Sequence, residues 1–448
     1  MRRLLLALPA VAVGIVLWAI LTAGWARPVV VARVVGGPTR GSSSASWLLS
    51  VEQIDGEQRS PLPDLPLRLQ VQAGALRADW TGRSDRSGHA EVLIELAQPL
   101  AVDPWLRIEQ SDSGLVLAEG TLALTVENWR TGAQQRGGWL PGQQHGELWL
   151  RVAPARGTLA VPFATELAIE VTRGPAASTA PGGLAFGALP AADVALELEL
   201  SGAERTSSAP PRTGADGRTR VGIRPLEHAI VLHVTARGPG SSGEWYGALP
   251  VTPGALLATL EGTRLRVDSP IPRERAFVSL VTAQQRLAGY SLELSADAEG
   301  GAGASVELGP PLLGRLATQA VFAVVSSEPD KRSPSSVGWP LRSDGAQPAL
   351  SFDVADQLLL DGRDGVLERE SAARRSRRRI AALLLALVGS TMLVGFAQQI
   401  RQRPRPARAH AARGEELALA PQRGWVGLAL GCLLLGVAAL AYFGLLQR

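Results

Sequence analysis

Cysteine, lysine and histidine are scarce in this chain of 448 residues. Its one cysteine, Cys432, cannot form a disulfide within the chain, which excludes a small disulfide-held scaffold. The basic residues are 44 arginines and a single lysine, Lys331. Of the five histidines, His228 and His233 would face opposite sides of a strand, which is poor geometry for one metal ion. The others are His89, His145 and His410.

Signatures of catalysis are also missing. There is no G-x-S-x-G motif, Walker loop or dinucleotide fingerprint, and the SDSG stretch at 111–114 has no histidine placed to act as its base. One acidic group lacks the spacing of a calcium loop, and we interpret it as turns followed by acid at a helix N-terminus. It comprises Asp353, Asp356, Asp361, Asp364 and Glu368. We therefore expect no enzyme, and no catalytic, cofactor or metal site.

The net charge of +4 is unevenly distributed. Residues 1–3 and 374–448 carry +2 and +10, which leaves −8 for residues 4–373. The positive charge therefore belongs to the ends of the chain, where arginine can meet anionic lipid headgroups. A nucleic-acid partner is not expected for the acidic middle section, because such a partner requires clustered positive charge.

Three apolar segments predict membrane-spanning helices at residues 4–26, 380–397 and 425–446. The first, an uncharged run of 23 residues, is long enough at about 1.5 Å per residue to cross a hydrocarbon core about 30 Å thick. In lipid the backbone must satisfy its own hydrogen bonds, so isolated segments of this kind form helices. For the first segment a cleaved signal peptide is the alternative. Signal peptides normally have an apolar region of about 7–15 residues, so an uncleaved anchor over 1–26 is favoured.

The charges beside these segments give conflicting indications of topology. The loop 398–424 carries six arginines and agrees with a cytoplasmic position. The five arginines between Arg374 and Arg379 would then lie on the outer side, which the positive-inside rule disfavours. Long domains translocate with little regard to charge, so we expect the middle section outside the cytoplasmic membrane and the lipid bilayer as a partner.

Short runs of alternating apolar and polar residues dominate the middle section. Alternation with a period of two places one face of a strand in a core and the other outward. The runs lie at residues 67–71, 91–96, 148–152, 167–171, 194–200, 230–234 and 265–267. The predicted fold class is mainly β: tandem antiparallel β-sandwich (Ig-like) modules, plus three transmembrane α-helices.

Five tryptophans of the middle section are predicted to fill sandwich cores. An aromatic platform for binding sugar is the alternative function for the same residues. They are Trp47, Trp80, Trp105, Trp149 and Trp245.

The middle section also contains an internal similarity. Residues 81–92 are similar to 213–221, and a second motif at 150–156 is similar to 265–273. We interpret the order as a duplicated pair of β modules, 27–172 and 173–326, with chance similarity as the alternative. A linker and juxtamembrane helix over 327–379 would then lead to the segment at 380.

The first motif places Thr81, Asp85 and Gly88, and later Thr213 and Gly217, between two strands. This pattern resembles carboxypeptidase-regulatory-like and macroglobulin-like β-sandwich modules of bacterial envelope proteins, over about residues 48–325. The resemblance implies a scaffold or binding module. The middle section departs from thioester macroglobulins because it has no cysteine.

The function expected from these observations is that of a membrane-anchored, extracytoplasmic scaffold that binds another envelope protein. Two alternatives remain. One is an envelope enzyme with a site assembled between modules, and the other is a sensor that signals through the carboxyl-terminal helices and the basic loop 398–424.

Overall fold

A computed structural model shows a chain dominated by antiparallel β-strands. The structure describes residues 11, 14, 15, 18, 28–36, 41, 44–123, 134–136, 138–174, 189–282, 285–297, 300–342, 351–353 and 356–401. The predicted segment 425–446, most of 1–26 and the loop 398–424 beyond residue 401 lie outside the described residues. The chain divides into two compact units, and the larger one, Val30–Gln53 with Arg59–Arg363, contains the β-sandwiches.

The strands are numbered in chain order. The first eight are β1 Val29–Gly36, β2 Ser44–Asp55, β3 Gln58–Pro61, β4 Pro66–Ala73, β5 Leu76–Arg83, β6 His89–Glu95, β7 Trp105–Gln110 and β8 Val116–Thr121. The next ten are β9 Gln134–Arg136, β10 Gln143–Gly146, β11 Leu148–Pro154, β12 Thr165–Arg173, β13 Leu189–Pro190, β14 Ala195–Ser201, β15 Ala203–Arg205, β16 Arg218–Pro225, β17 Ile230–Gly238 and β18 Ser241–Leu249.

The remaining elements complete the described chain. The strands are β19 Leu257–Glu261, β20 Arg264–Ser269, β21 Arg275–Val281, β22 Arg286–Glu293, β23 Ser295–Ala296, β24 Ala302–Glu307, β25 Phe322–Ser326, β26 Val337–Pro340, β27 Ser351–Asp353 and β28 Gln357–Asp361. Helix α1 spans Pro310–Thr318 and helix α2 spans Arg363–Arg401.

Every run predicted from alternation coincides with a strand, and β4 shows why. Its residues Leu67, Leu69 and Val71 are buried, while Arg68 and Gln70 point away from the core. Because successive side chains in a strand alternate between faces, this pattern produces one apolar and one polar surface. The prediction of a mainly β, antiparallel fold is therefore confirmed.

The described strands form three β-sandwiches, each with its own core. Module 1 packs the sheet β28-β1-β2-β3, with β6 paired to β2, against β5-β4-β7-β8. Module 2 packs β10-β18-β17-β14 against β11-β12-β16-β15, with β13 paired to β12. Module 3 packs β19-β20-β24-β23 against β22-β21-β25-β26-β27-β9.

This division differs from the predicted pairs 27–172 and 173–326. Strand β12, which reaches the predicted boundary, pairs with β16, and both sides of the boundary share the core of module 2. The boundary therefore falls inside a sandwich. The two copies of the first motif lie in modules 1 and 2, at the β5–β6 connection and at the start of β16. The similarity marks a repeated turn rather than the limits of a module.

Module 1 is built from both ends of the β region. Strands β1 and β28 pair antiparallel, with Arg33 opposite Asp361 and Gly36 opposite Gln357. The amino end of β1 and the carboxyl end of β28 therefore lie side by side. The Arg33 guanidinium joins them through an ion pair of 3.4 Å to the Asp361 carboxylate.

Helix α2 begins two residues after β28. Its first turn carries Asp364, and the Asp361 carboxylate accepts a hydrogen bond of 2.9 Å from the backbone N–H of Arg363, an arrangement that favours helix initiation. The helix includes both the basic run before residue 380 and the apolar segment 380–397. In the described part of the chain, no helix has the length and apolar character required to span a bilayer.

Candidate functional site

Modules 1 and 3 meet at a buried ionic network, which we define as Glu91, Arg286, Lys331 and Asp356. Arg286, at the start of β22, is fully buried. Its Nη2 donates hydrogen bonds of 3.0 and 2.8 Å to the Glu91 carboxylate on β6. Its Nη1 and Nε donate to the hydroxyls of Ser46 and Ser279. The guanidinium therefore links two strands of module 1 to module 3.

The second half of the network is the pair Lys331–Asp356. The Lys331 Nζ lies 2.8 Å from Asp356 Oδ2 and also donates to the Pro329 carbonyl at 3.1 Å. Asp356 Oδ2 accepts a further hydrogen bond of 2.9 Å from Ser279, and Arg286 Nε lies 3.8 Å away. Two cations thus face two anions, so the network has no net charge when all four groups are ionised.

The local backbone explains how Lys331 and Asp356 meet. Lys331 adopts a left-handed conformation with φ of 54° after a turn in which its N–H donates to the Glu328 carbonyl. Asp356 lies just before β28, and its backbone N–H donates a hydrogen bond of 3.0 Å to the Asp330 carbonyl. The segment entering module 1 is therefore held against the turn that follows β25.

Burial and neighbouring charges act in opposite directions on these groups. Burial lowers the pKa of Arg286, but Glu91 and Asp356 raise it above its ordinary value. Burial raises the pKa of Asp356, but Lys331 and Arg286 outweigh it and lower the pKa. For Glu91 the effect of burial prevails, and its pKa is raised. The ionisation of Arg286, Asp356 and Glu91 therefore depends on both their burial and the charges of the network.

A second polar cluster borders the network. Arg275 on β21 lies 2.6 Å from the Asp85 carboxylate of module 1 and 3.1 Å from Glu293. Asp85 also accepts from the Ser291 hydroxyl at 3.0 Å. The His89 ring meets Phe277 edge-on, with centroids 5.0 Å apart. Charged and aromatic contacts therefore continue along the junction of modules 1 and 3.

Modules 2 and 3 are joined by the contacts of one arginine, Arg156. The Arg156 guanidinium of module 2 donates to the carbonyls of Ala258 and Pro340 and lies over the Trp339 ring at 5.2 Å. Burial lowers the pKa of Arg156 to about 10. The Nε1–H of Trp339 in turn donates a hydrogen bond of 2.7 Å to the Leu256 carbonyl. Among the described residues, the junction of modules 2 and 3 thus depends on hydrogen bonds and cation–π stacking, without the ion pairs of the junction between modules 1 and 3.

The repeated turn has the same hydrogen bonds in modules 1 and 2. The hydroxyl of Ser84 donates to the Leu62 carbonyl and accepts from a backbone N–H. Thr213 makes the equivalent pair, donating to the carbonyl of Ala191 and accepting from a backbone N–H. Gly88 and Gly217 both have φ of +74°, which favours glycine.

An ion pair accompanies each copy of this turn. Asp64 and Asp193 both have positive φ, and they pair with Arg83 at 2.5 Å and with Arg212 at 2.9 Å. All four side chains are more than half exposed, so these pairs add little to stability. The buried hydroxyls and the glycines therefore define the turn.

The structure does not bring the described histidines together. His89 lies at the module junction, while His145 and His228 are exposed. His233 points outward from β17, between the carboxylates of Glu199 at 3.2 Å and Glu244 at 3.6 Å. His410 lies outside the described residues. Among the described residues, no three His, Cys, Asp or Glu side chains are placed to hold a metal ion.

The acidic group near residue 360 separates into different roles. Asp356 belongs to the ionic network, whereas Asp361 pairs with Arg33 and accepts the N–H of Arg363. Asp364 lies in the first turn of α2. The interpretation as turns and helix-terminal acid holds for the last two positions. It missed the buried role of Asp356.

The five tryptophans predicted to fill cores differ in burial. Trp47 and Trp245 are buried in the cores of modules 1 and 2, and Trp80 packs against the first of these cores. Trp105 and Trp149 are only half-buried, and they lie on the outer faces of β7 and β11. The prediction of core packing is therefore right for the first three and wrong for the last two.

The sequence pattern did not indicate the network. Glu91 lies on the outward face of an alternating strand, between the buried Ala90 and Val92, so the pattern predicted a solvated carboxylate. The one available signal was compositional, because Lys331 is the single lysine among 45 basic residues.

Comparisons with known proteins give no family. No protein-family model matches the sequence, and no curated protein matches it. Among solved structures, invasin, described as a bacterial integrin-binding protein, is 10% identical over 67% of this chain and 56% of its own, with a TM-score of 0.16. The D0–D1 domain of intimin is 11% identical over 47% and 89%, with a TM-score of 0.15.

A third similar structure is a tetra-tandem repeat from the extending region of a large adhesion protein. It is 12% identical and covers 74% of both chains, with a TM-score of 0.16. TM-scores this low identify neither a relative nor a ligand for this chain. The carboxypeptidase-regulatory-like resemblance thus stays a prediction.

Proposed function

We propose that the protein is a non-catalytic scaffold of the cell envelope, anchored in the cytoplasmic membrane, with its three sandwiches on the extracytoplasmic side. The sandwiches present a surface to another envelope protein, and the lipid bilayer is the second partner. The resemblance to carboxypeptidase-regulatory-like modules agrees with this role, because such modules display surfaces rather than perform chemistry.

The pairing of β1 with β28 is the observation that carries the proposal. The chain enters and leaves the β region at the same end of one strand pair, at β1 and at Asp361. The apolar segments 4–26 and 380–397 lie close to these two points in the sequence. Two anchors that leave from one place can enter the same bilayer without unfolding the module between them.

The module junctions support a scaffold in a second way. Arg286 and Arg156 each join a pair of modules through buried or half-buried hydrogen bonds. A binding surface that spans modules requires them to keep one arrangement, since ordering flexible modules would oppose binding. The buried charges of the network pair with one another inside the junction, Arg286 with Glu91 and Lys331 with Asp356.

The surface of α2 agrees with contact to lipid. Leu383 is 71% exposed, Leu387 66% and Val394 58%. Exposed apolar side chains on one helix are unfavourable in water, and lipid tails provide an apolar environment for them. The five arginines between Arg374 and Arg379 precede it and can meet anionic headgroups.

Cysteine accessibility in spheroplasts of a bacterial host tests the proposed topology. In a Cys432→Ser background, Ser207→Cys places a thiol on an exposed position of module 2. We expect a membrane-impermeant maleimide to label it in intact spheroplasts. The matched variant Ala411→Cys, in the loop predicted to face inward, should be labelled only after lysis. Labelling of Ala411→Cys alone in intact spheroplasts would reverse the orientation and refute the proposal.

The non-catalytic part has its own test. The full chain, purified in detergent, should carry no stoichiometric metal and should hydrolyse no ester, peptide or glycoside substrate above the level of an Arg286→Met variant. A metal bound one to one, or a hydrolysis rate that a single substitution abolishes, would favour the enzyme alternative.

A further inference from the structure

Lys331 is the one side chain of its kind in the protein, and it is 2% exposed. Its Nζ lies 2.8 Å from Oδ2 of Asp356, which is also 2% exposed. An arginine guanidinium cannot act as an amine nucleophile, because it does not lose its proton in proteins. Of the 45 basic side chains, the single one able to form an amide is thus held against a buried carboxyl group.

We infer that Lys331 and Asp356 condense to an intramolecular amide, a covalent cross-link between module 3 and the segment that enters module 1. The inference goes beyond the proposed function and does not depend on it, since it rests on the ionic network alone. The link would join Lys331 to the residue directly before β28.

The reaction needs no oxidant and no other reactant. Nζ attacks Cγ of Asp356, an Nζ–Cγ bond forms, and the Cγ–Oδ2 bond breaks. Oδ2 leaves as water with two protons that come from the ammonium group, and the third proton stays on the amide nitrogen. One ammonium and one carboxylate, with no net charge, become a neutral amide and one water molecule.

Attack requires the neutral pair, and the ion pair reaches it by a single proton transfer across its hydrogen bond. Transfer of one proton from Nζ to the carboxylate across their hydrogen bond removes both charges from a buried site. It does not leave Arg286 without a counter-charge, because Arg286 keeps its two hydrogen bonds to Glu91. After condensation the site still holds one cation and one anion, so the product is electrostatically balanced.

Two donors beside Oδ2 polarise the Cγ–Oδ2 bond and so favour its cleavage. The Ser279 hydroxyl donates to Oδ2 at 2.9 Å, and Arg286 Nε lies 3.8 Å from it. Preorganised donors of this kind act most strongly where water is excluded. Ser279 and Arg286 are both 0% exposed.

The mass of the unfolded full chain tests the inference directly. We expect the purified wild-type protein to weigh less than its sequence by one water molecule. Trypsin cleaves after arginine and after free lysine, so residues 316–332 and 343–363 should appear as one branched peptide. Asp356→Ala should have the full mass and release the two segments separately. The matched variant Asp330→Ala, at an exposed neighbouring carboxylate, should keep the branched peptide.

A second measurement uses the single lysine. An amine-reactive ester applied to the chain unfolded in detergent should leave residues 316–332 unlabelled in the wild type and label Lys331 in Asp356→Ala. Wild-type protein of full mass, with Lys331 labelled as strongly as in Asp356→Ala, would overturn the inference. The decisive measurement is made on the wild type, so poor folding of a variant does not affect the result.

Discussion

Arg286 and Glu91 are joined across the junction of modules 1 and 3 by two hydrogen bonds, of 3.0 and 2.8 Å, from one guanidinium nitrogen to both carboxylate oxygens. The side chain of Arg286 is inaccessible to solvent and that of Glu91 is 19% exposed. A pair of this kind contributes little when compared with apolar replacements, but breaking it leaves a charge without a partner in a medium that solvates it poorly. Removing one partner should therefore cost more than removing both.

Arg286→Met should lower the free energy of unfolding by about 3–5 kcal/mol, since it leaves Glu91 without its partner. Hydrogen exchange of β6 and β22, together with denaturant titration of the full chain, would measure the loss. The control is Arg237→Met, whose partner Glu197 is 63% exposed, and it should leave stability unchanged. The double variant Glu91→Leu with Arg286→Met should recover much of the loss. A double variant no more stable than Arg286→Met would contradict this expectation.

Acid should weaken the same junction through His89. Burial lowers the pKa of His89, Arg275 and Lys331 lower it further, and Asp85 opposes them. A histidine with a depressed folded-state pKa binds its proton more readily in the unfolded chain. The contribution of neutral His89 to stability is therefore fully present above about pH 6.5 and is lost as the pH falls below that value.

The measurement is the melting temperature of the wild type and of His89→Gln between about pH 7.5 and 5.5. The wild type should lose stability over this range, and His89→Gln should lose less. Burial raises the pKa of Asp85, but hydrogen bonds from the backbone of His89 and Ser87 and from the Ser291 hydroxyl outweigh it, so the pKa is lowered. The contribution of ionised Asp85 to stability therefore persists to more acidic pH than that of His89. His145→Gln, at an exposed position, is the control and should follow the wild type. Equal slopes for wild type and His89→Gln would show that His89 is not the cause.

The repeated turn should tolerate no side chain at its glycine. A Cβ at Gly217 would lie 2.6 Å from the Val171 carbonyl oxygen, and one at Gly88 would lie 2.4 Å from that of Val51. Gly240 has a similar φ of +75° but meets nothing within 4 Å. Gly240→Ala should therefore cost about 1–2 kcal/mol from its backbone conformation, and Gly217→Ala and Gly88→Ala should cost more. Denaturant titration compares the three, and equal losses would show that the close approach does not matter.

Arg156 should hold modules 2 and 3 through its planar group. Arg156→Met keeps the apolar stem but removes the donors to Ala258 and Pro340, at a cost of about 1–3 kcal/mol. Arg156→Lys should not restore the joint, because an ammonium cannot stack on Trp339 and donate in the same geometry. Limited proteolysis between residues 249 and 257, with Arg224→Met as an exposed control, detects the opening of the joint. A lysine variant as resistant as the wild type would contradict this role.

Local patterns in the sequence predicted much of the fold. The alternation in β4 and β17 determined that these segments are strands and which of their faces lies in a core. The glycines at 88 and 217 determined where the chain turns. These features depend on neighbouring residues and the backbone, so they can be recognised without knowledge of the rest of the chain.

The ionic network could not be predicted in this way. Alternation assigns Glu91 to the outer face of its strand but does not tell whether another module covers that face. Arg286, Lys331 and Asp356 are far from Glu91 in sequence, and only the packing of module 3 on module 1 brings them together. The predicted boundary near 172 failed for the same reason, because the partner of β12 is β16.

The sequence by itself determined the strands, their inward faces, the repeated turn and the apolar segments at both ends, because each depends on residues close together in the chain. The tertiary structure alone decided that there are three sandwiches among the described residues, that β1 pairs with β28, and that Lys331 meets Asp356. These results depend on which distant surfaces pack together, and that choice is made by the total burial and charge balance of the folded chain.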